Sequence, residues 1–147
     1  MSDFELENFL PYLLNQAAER SSLAFRTYYR DTYGMLRTEW RVLFHLWRYG
    51  TMTAREICER ASLHKTKVSR AVRALEEKRM LRRDEVIADR RNELLSLTPI
   101  GRKAGKDLSR AAEIYNADLL AAFSAAERVV LHDCLVRIAG QARSIRK

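Results

Sequence analysis

The sequence predicts a mainly α-helical protein carrying one small β-hairpin. Gly totals five and Pro two in 147 residues, so few positions force a helix to stop. Apolar residues recur along most of the chain with a period close to 3.6. Only the stretch after Met80 departs from it: 81–87 and 93–97 are short alternating or β-branched runs around a polar turn.

Phe9, Leu10, Leu13, Leu14, Ala17, Leu23, Ala24 and Tyr28 follow helical spacing. Pro11, tolerable only near a first turn, sets the start of this helix around Asn8 and Gly34 its end after Tyr33. Thr38 offers an N-cap oxygen to a shorter second helix with the stripe Trp40, Leu43, Phe44 and Trp47, ended by Gly50. Thr53 and Glu56 form a capping box, in which each side chain satisfies an unpaired backbone donor near the other, and open a third helix through Ile57 and Ala61. After a break at Ser62 and Leu63, a fourth helix is expected over 64–78, apolar at Val68, Ala71, Val72 and Leu75. The hairpin follows, with its turn at residues 88–92. Thr98 then caps, and Pro99 opens, a long helix through Ile100, Leu108, Ala112, Tyr115 and Leu119, closed by Phe123. Ser124 and Glu127 cap a terminal helix containing Val130, Leu131, Cys134, Leu135 and Ile138.

Charge points to a partner. The 27 Lys and Arg exceed the 19 Asp and Glu to give a net +8, which suits a polyanion. Between Lys65 and Arg83 eight basic residues meet two acidic ones, a local net of +6, so most of the surplus lies in one short stretch. On a helical wheel for 64–78, Val68, Val72 and Leu75 share one edge. Thr66, Arg70 and Arg73 lie opposite, flanked by Lys67 and Ser69, with Lys65 at the start. These cations and hydroxyls donate to phosphates and base edges, and a B-DNA major groove of about 12 Å admits one such helix. At the hairpin tip Arg90 and Arg91 can reach a neighbouring minor groove, and Asp89 beside them is expected to pair with an arginine and fix the loop. A short capped helix, a tight turn, a basic helix and a hairpin with an Arg-Arg tip is the order of a winged helix-turn-helix.

The chain ends carry more apolar surface than a small winged domain covers alone. Phe9, Leu10, Leu13 and Leu14 at one end and Val130, Leu131, Leu135 and Ile138 at the other are expected to be buried on a second copy. A two-fold dimer spaces its recognition helices about one DNA turn apart, roughly 34 Å, and predicts an inverted-repeat site in double-stranded DNA. One domain over 1–147 is expected, with a DNA-binding lobe at 34–101 and dimerisation helices at 1–33 and 102–147.

Other functions find little support. The sequence has no Gly-rich phosphate loop, G-x-S-x-G, H-E-x-x-H or cysteine pair at ligand spacing, so neither an enzyme nor a cofactor is expected. His45, His64 and His132 are far apart and read as ordinary histidines, so no metal site is expected. Cys58 and Cys134 read as structural thiols on apolar helix sides, with redox sensing as the alternative. Asp3, Glu5 and Glu7 stand where a signal peptide needs positive charge, and no apolar run nears the roughly 18 residues of a membrane span; a cytoplasmic protein is expected. The rival from another class is a basic helical protein that binds nucleic acid or acidic partners without sequence preference.

From Thr51 to Gly101, through TMTAREICERASLHKTKVSRAVRALEEKRML and ADRRNELLSLTPIG, the sequence resembles the multiple-antibiotic-resistance regulator (MarR) family. Asp89-x-Arg91 followed by Leu97-Thr98 and Gly101 is similar to the family's wing signature. The resemblance implies an obligate homodimeric transcription regulator on a near-palindromic operator, with Arg91 in the minor groove and Asp89 organising the wing. Repression by promoter occlusion is expected because no segment looks like an activation or polymerase-contact module, with activation as the alternative. Members of the family often bind a small aromatic or phenolic anion as effector, for which Tyr28, Tyr29, Trp40, Arg41, His45 and Trp47 are candidate pocket residues and Arg41 the anion partner, although most of these aromatics read first as core. Peroxide-sensing relatives use a cysteine in the first helix, where this chain has none. Arg79 departs from the family pattern, which has glycine at the end of the recognition helix, and implies a strained backbone or a different helix ending there.

Overall fold

A computed structural model describes residues 3–86 and 89–141, including all their side chains except those of residues 86 and 89–92. Six α-helices and three short strands follow in the order α1 (Leu10–Tyr33), α2 (Arg37–Tyr49), β1 (Met52–Thr53), α3 (Ala54–Ala61), α4 (Lys65–Glu77), β2 (Leu81–Val86), β3 (Asp89–Leu97), α5 (Pro99–Leu120) and α6 (Ala125–Ala139). A single 3-10 turn, Leu6–Asn8, precedes them. The mainly α architecture with a small wing is the one expected. Two compact units divide the chain, up to Ala112 and from Glu113 on, the boundary falling inside α5.

In the first unit the core is one apolar cluster. Val42, Leu43 and Leu46 of α2, Ile57 of α3, Val68, Val72 and Leu75 of α4, Leu81 and Leu95 of the sheet and Leu108 of α5 are all buried. Each such side chain contributes about 1.5–3 kcal/mol through removal from water. The periodicity that predicts the helices is therefore the pattern of burial, most clearly in α4, where Val68, Ala71, Val72 and Leu75 alone are buried.

Local signals set most of the boundaries. Pro11 lies in the first turn of α1, which Gly34 ends in the left-handed conformation at φ 62°. Both reciprocal capping boxes form, Thr53 with Glu56 and Ser124 with Glu127. Thr98 Oγ1 accepts from the Gly101 amide at 3.1 Å at the head of α5. Thr38, expected as a cap, lies inside α2: the helix starts two residues earlier than such a cap would place it, at Arg37 after Leu36, which offers no side-chain bond. Buried Met35 pins the chain just before this start, and Glu39 places its carboxylate in the first turn, where the helix dipole favours it.

The hairpin differs from expectation in two ways. Strand β3 starts at Asp89, so the polar run 89–92, expected as a turn, has strand backbone, and the register shifts between Glu85 and Val86. Cross-strand bonding here overrides turn-like composition. The sheet also has a third strand, since β1 pairs antiparallel with β3, Met52 opposite Leu95 and Thr53 opposite Leu94, in the order β1-β3-β2.

The second unit holds the end of α5 and α6. Val129, Val130, Leu131, Leu135, Val136 and Ile138 of α6 are all exposed in the single chain. Cys134, expected among buried thiols, is exposed as well, because nothing described in this unit covers α6.

Candidate nucleic-acid interface

Helix α4 is presented by what surrounds it. Ser62 takes the left-handed conformation at φ 52° and ends α3, and its neighbour Leu63 packs against the core. His64 then caps α4, its Nδ1 accepting from the Thr66 amide at 3.2 Å. That turn and the buried Val68 edge leave Lys65, Thr66, Lys67, Ser69, Arg70 and Arg73 exposed together, the six helix residues expected to meet DNA. Arg73 makes a 3.4 Å ion pair with Glu77 one turn on, both largely exposed, a contact of only about 0.3–0.5 kcal/mol that phosphate can displace.

The other end of α4 is tied more firmly. Arg79 has φ 59°, donates its amide to the Glu76 carbonyl at 2.9 Å, and is followed by Met80, whose amide reaches the Leu75 carbonyl at 3.0 Å. This is the double bond of a Schellman ending, made here with arginine in the place that favours glycine. Of the two outcomes implied by the resemblance the first is present: the backbone is strained, and the helix keeps the glycine-type ending rather than a different one. Thr98 Oγ1 donates to the Arg79 carbonyl at 2.6 Å, and the Thr98 amide to the Met80 carbonyl at 3.0 Å, joining the head of α5 to this corner.

Strand β2 is coupled to α4 by a side chain the sequence reading did not single out. Arg83 donates from Nε to Glu76 of α4 and from Nη1 to Glu93 of β3, each at 3.1 Å. Its charge looked like one more cation in a basic run; only the sheet register puts Glu93 within reach. Between α3, α4 and the sheet lies a cavity of about 470 Å³, lined by Thr53, Cys58, Lys65, Ser69, Arg83 and Glu93 among others. The side chains of Asp89, Arg90 and Arg91 lie outside the described residues; their backbone belongs to β3.

The six residues considered for an effector fall into several settings. Tyr29 and Trp40 stack in parallel with centroids 5.8 Å apart, and Phe25 packs edge-on against both. The Trp40 indole nitrogen is buried without a hydrogen-bond partner among the described residues. Tyr28 donates to Asp107 at 2.9 Å, as does Tyr33 at 2.7 Å, both to the same carboxylate oxygen. Arg41 donates to the Ala61 carbonyl at 2.6 Å, and burial, with Arg37 nearby, holds its guanidinium below the usual pKa. His45 Nδ1 lies 2.6 Å from the Arg41 carbonyl, which only accepts, so that nitrogen carries the proton. Trp47 packs against Gly105 of α5, where a Cβ would come within 2.9 Å of the indole.

The sequence model of the MarR family matches residues 33–92, the stretch from the end of α1 into β3 that holds α4 and most of the wing. An uncharacterized HTH-type transcriptional regulator of Bacillus subtilis (strain 168), YwaE, is 26% identical over 126 residues, 86% of this chain and 74% of that protein. Over residues 33–92 the chain carries the pattern of the MarR family. It is a winged helix-turn-helix transcriptional regulator, and family and fold are those of regulators, not enzymes. Among solved MarR-family structures, a MarR/EmrR family regulator from Acinetobacter sp. ADP1 is similar with a TM-score of 0.82 and 26% identity, over 92% of this chain and 96% of that one. BpsR of Bordetella bronchiseptica, whose DNA binding is regulated by 6-hydroxynicotinic acid, shares the fold with a TM-score of 0.84 and 20% identity, over 96% of this chain and all of the other. Among the described residues, no helix of this chain is long and apolar enough to cross a membrane.

Proposed function

We propose that this protein is a cytoplasmic homodimeric repressor that binds an inverted-repeat operator and is released by a small aromatic or phenolic anion. The observation that carries the DNA reading is the exposed face of α4: Lys65, Thr66, Lys67, Ser69, Arg70 and Arg73 project from a helix whose opposite edge is fully buried. Arg70 reads a base edge and the lysines hold phosphates, while Arg90 and Arg91 enter the minor groove, ordered by Asp89. Residues 34–101 form the DNA-binding lobe, and 1–33 with 102–147 the dimerisation helices.

Dimerisation rests on exposed apolar side chains at both ends. Phe9, Leu10 and Leu13 of the first unit and Val130, Leu131, Leu135 and Ile138 of the second are each more than a third exposed in the single chain, and Leu14 adjoins the first group. A second copy that buries them brings two α4 helices to one face of DNA. The effector reading rests on the Tyr29–Trp40 stack, the Trp40 indole nitrogen without a described partner, and the cation Arg41 nearby in α2. The neighbour from Bordetella bronchiseptica, regulated by a hydroxylated aromatic carboxylate, supports that chemical class.

Selection of duplexes from a random-sequence library by the purified protein, followed by footprinting, tests the reading. An inverted repeat bound about a thousandfold more tightly than a scrambled duplex is the expected result. Equal and steeply salt-sensitive binding to both would leave only a basic surface.

A further inference from the structure

We infer that Glu39 and Lys78 are positioning residues for DNA recognition, an ion pair between a buried carboxylate and a half-buried ammonium that fixes the exit of α4 and so the direction in which its exposed face points. Glu39 is the one buried charged residue among those described, its side chain 7% exposed, and Lys78 Nζ donates to its Oε2 at 2.9 Å. Carboxylate and ammonium come from different helices: Glu39 from the first turn of α2, Lys78 from the residue that caps α4. The lysine stem runs beside Gly34, where a Cβ would lie 3.9 Å from Lys78 Cε, so the pair reaches the corner between α1 and α2. One residue on, the strained Arg79 turns the chain into β2, and its carbonyl is held by Thr98.

Such a pair adds little net stability, because burying the carboxylate and partly desolvating the ammonium offsets most of their attraction. Its effect is directional, since an isolated buried charge is far worse than a paired one and only one arrangement of the two helices satisfies both. The three amides of residues 78–80 close the ending of α4, and the Lys78 side chain anchors that ending to α2. Without the anchor α4 can still fold on its buried Val68, Val72 and Leu75, but the angle at which it leaves the core is less constrained. An exit angle that wanders misaligns bidentate base contacts while phosphate contacts, which tolerate misalignment, survive.

The inference rests on sequence-specific binding, and its test separates the two. Lys78→Met leaves the Glu39 charge alone and should lower the melting temperature. The double variant Glu39→Gln with Lys78→Met removes both charges and should melt close to wild type, so folded protein is available. Affinity is measured for a duplex selected from a random library by wild-type protein and for its scrambled counterpart, together with hydrogen exchange of the amides of residues 78–80. In the double variant we expect about a tenfold loss on the selected duplex, scrambled binding within about twofold of wild type, and about tenfold faster exchange at the three amides. Lys78→Arg, which keeps the cation, should retain selectivity. A double variant with wild-type selectivity and wild-type exchange overturns the inference. A wild-type protein that selects no sequence overturns the reading of the preceding subsection instead. The exchange arm then decides this one, unchanged protection sinking it and faster exchange upholding the anchor.

Discussion

At single positions, backbone conformation sets the sharpest demands. Arg79 occupies the left-handed region at φ 59°, where a Cβ crowds the following carbonyl. Arg79→Gly should therefore raise stability by about 0.5–1 kcal/mol, the relieved strain exceeding the added freedom of the unfolded chain, as read from urea unfolding. Gly101 is constrained in the opposite sense: a Cβ there would lie 1.9 Å from the Met80 carbonyl oxygen, which backbone cannot yield. Gly101→Ala should cost at least about 3 kcal/mol, and a variant with wild-type melting would show that α5 does not sit this close to β2. Both positions were visible in the sequence, since the wing signature includes the glycine and the arginine stood out as a departure. Glu39 was not, because an acid three residues after a leucine looks solvated until the fold brings Lys78 to it.

Within elements, legibility followed the distance over which bonds act. The capping boxes of α3 and α6 close within four residues and were read correctly; the same local rule failed at Thr38, where buried Met35 and the Glu39 contact set the start of α2. Thr53→Ala should cost about 1 kcal/mol by removing the cap bond to Glu56, measured by thermal unfolding. Strand β1 was unreadable, being two residues whose only reason to extend is a partner on β3. Helices α1 and α5 are joined by a tie of the same long-range kind, the Tyr28 and Tyr33 hydroxyls on Asp107. The hydrogen bond to Asp107, with burial, raises the Tyr28 pKa, and burial, with the bond to Asp107, raises that of Tyr33 above the ordinary 10.0. In the unfolded chain these phenols ionise near 10, so the tie stabilises fully below that pH and its contribution falls as pH rises beyond it. Unfolding by urea between pH 9 and 11 should show this loss, and Tyr33→Phe should flatten it.

For the whole molecule, the two units make different claims on a partner. The exposed apolar residues of α6 point around the helix rather than along one stripe, which a second copy can enclose and water cannot. Sedimentation at micromolar concentration should give a dimer, and Leu135→Asp with Ile138→Asp should give a monomer that binds the selected duplex at least about a hundredfold more weakly. The basic face of α4 calls for DNA, and its charge was the most legible feature of the sequence, because helical spacing alone gathers those side chains. The wing was half legible: its strands were expected, whereas the Arg83 fork between Glu76 and Glu93 depends on register. That sheet also ends in β2, whose outer edge has no strand beside it among the described residues. Four of its six residues are charged, Arg82, Arg83, Asp84 and Glu85. An open strand is a template on which further chains can add, and these charges, two positive followed by two negative, set like against like when identical copies stack in parallel register. The open edge is thus guarded against parallel self-association, and replacing those four residues by threonine would remove that guard.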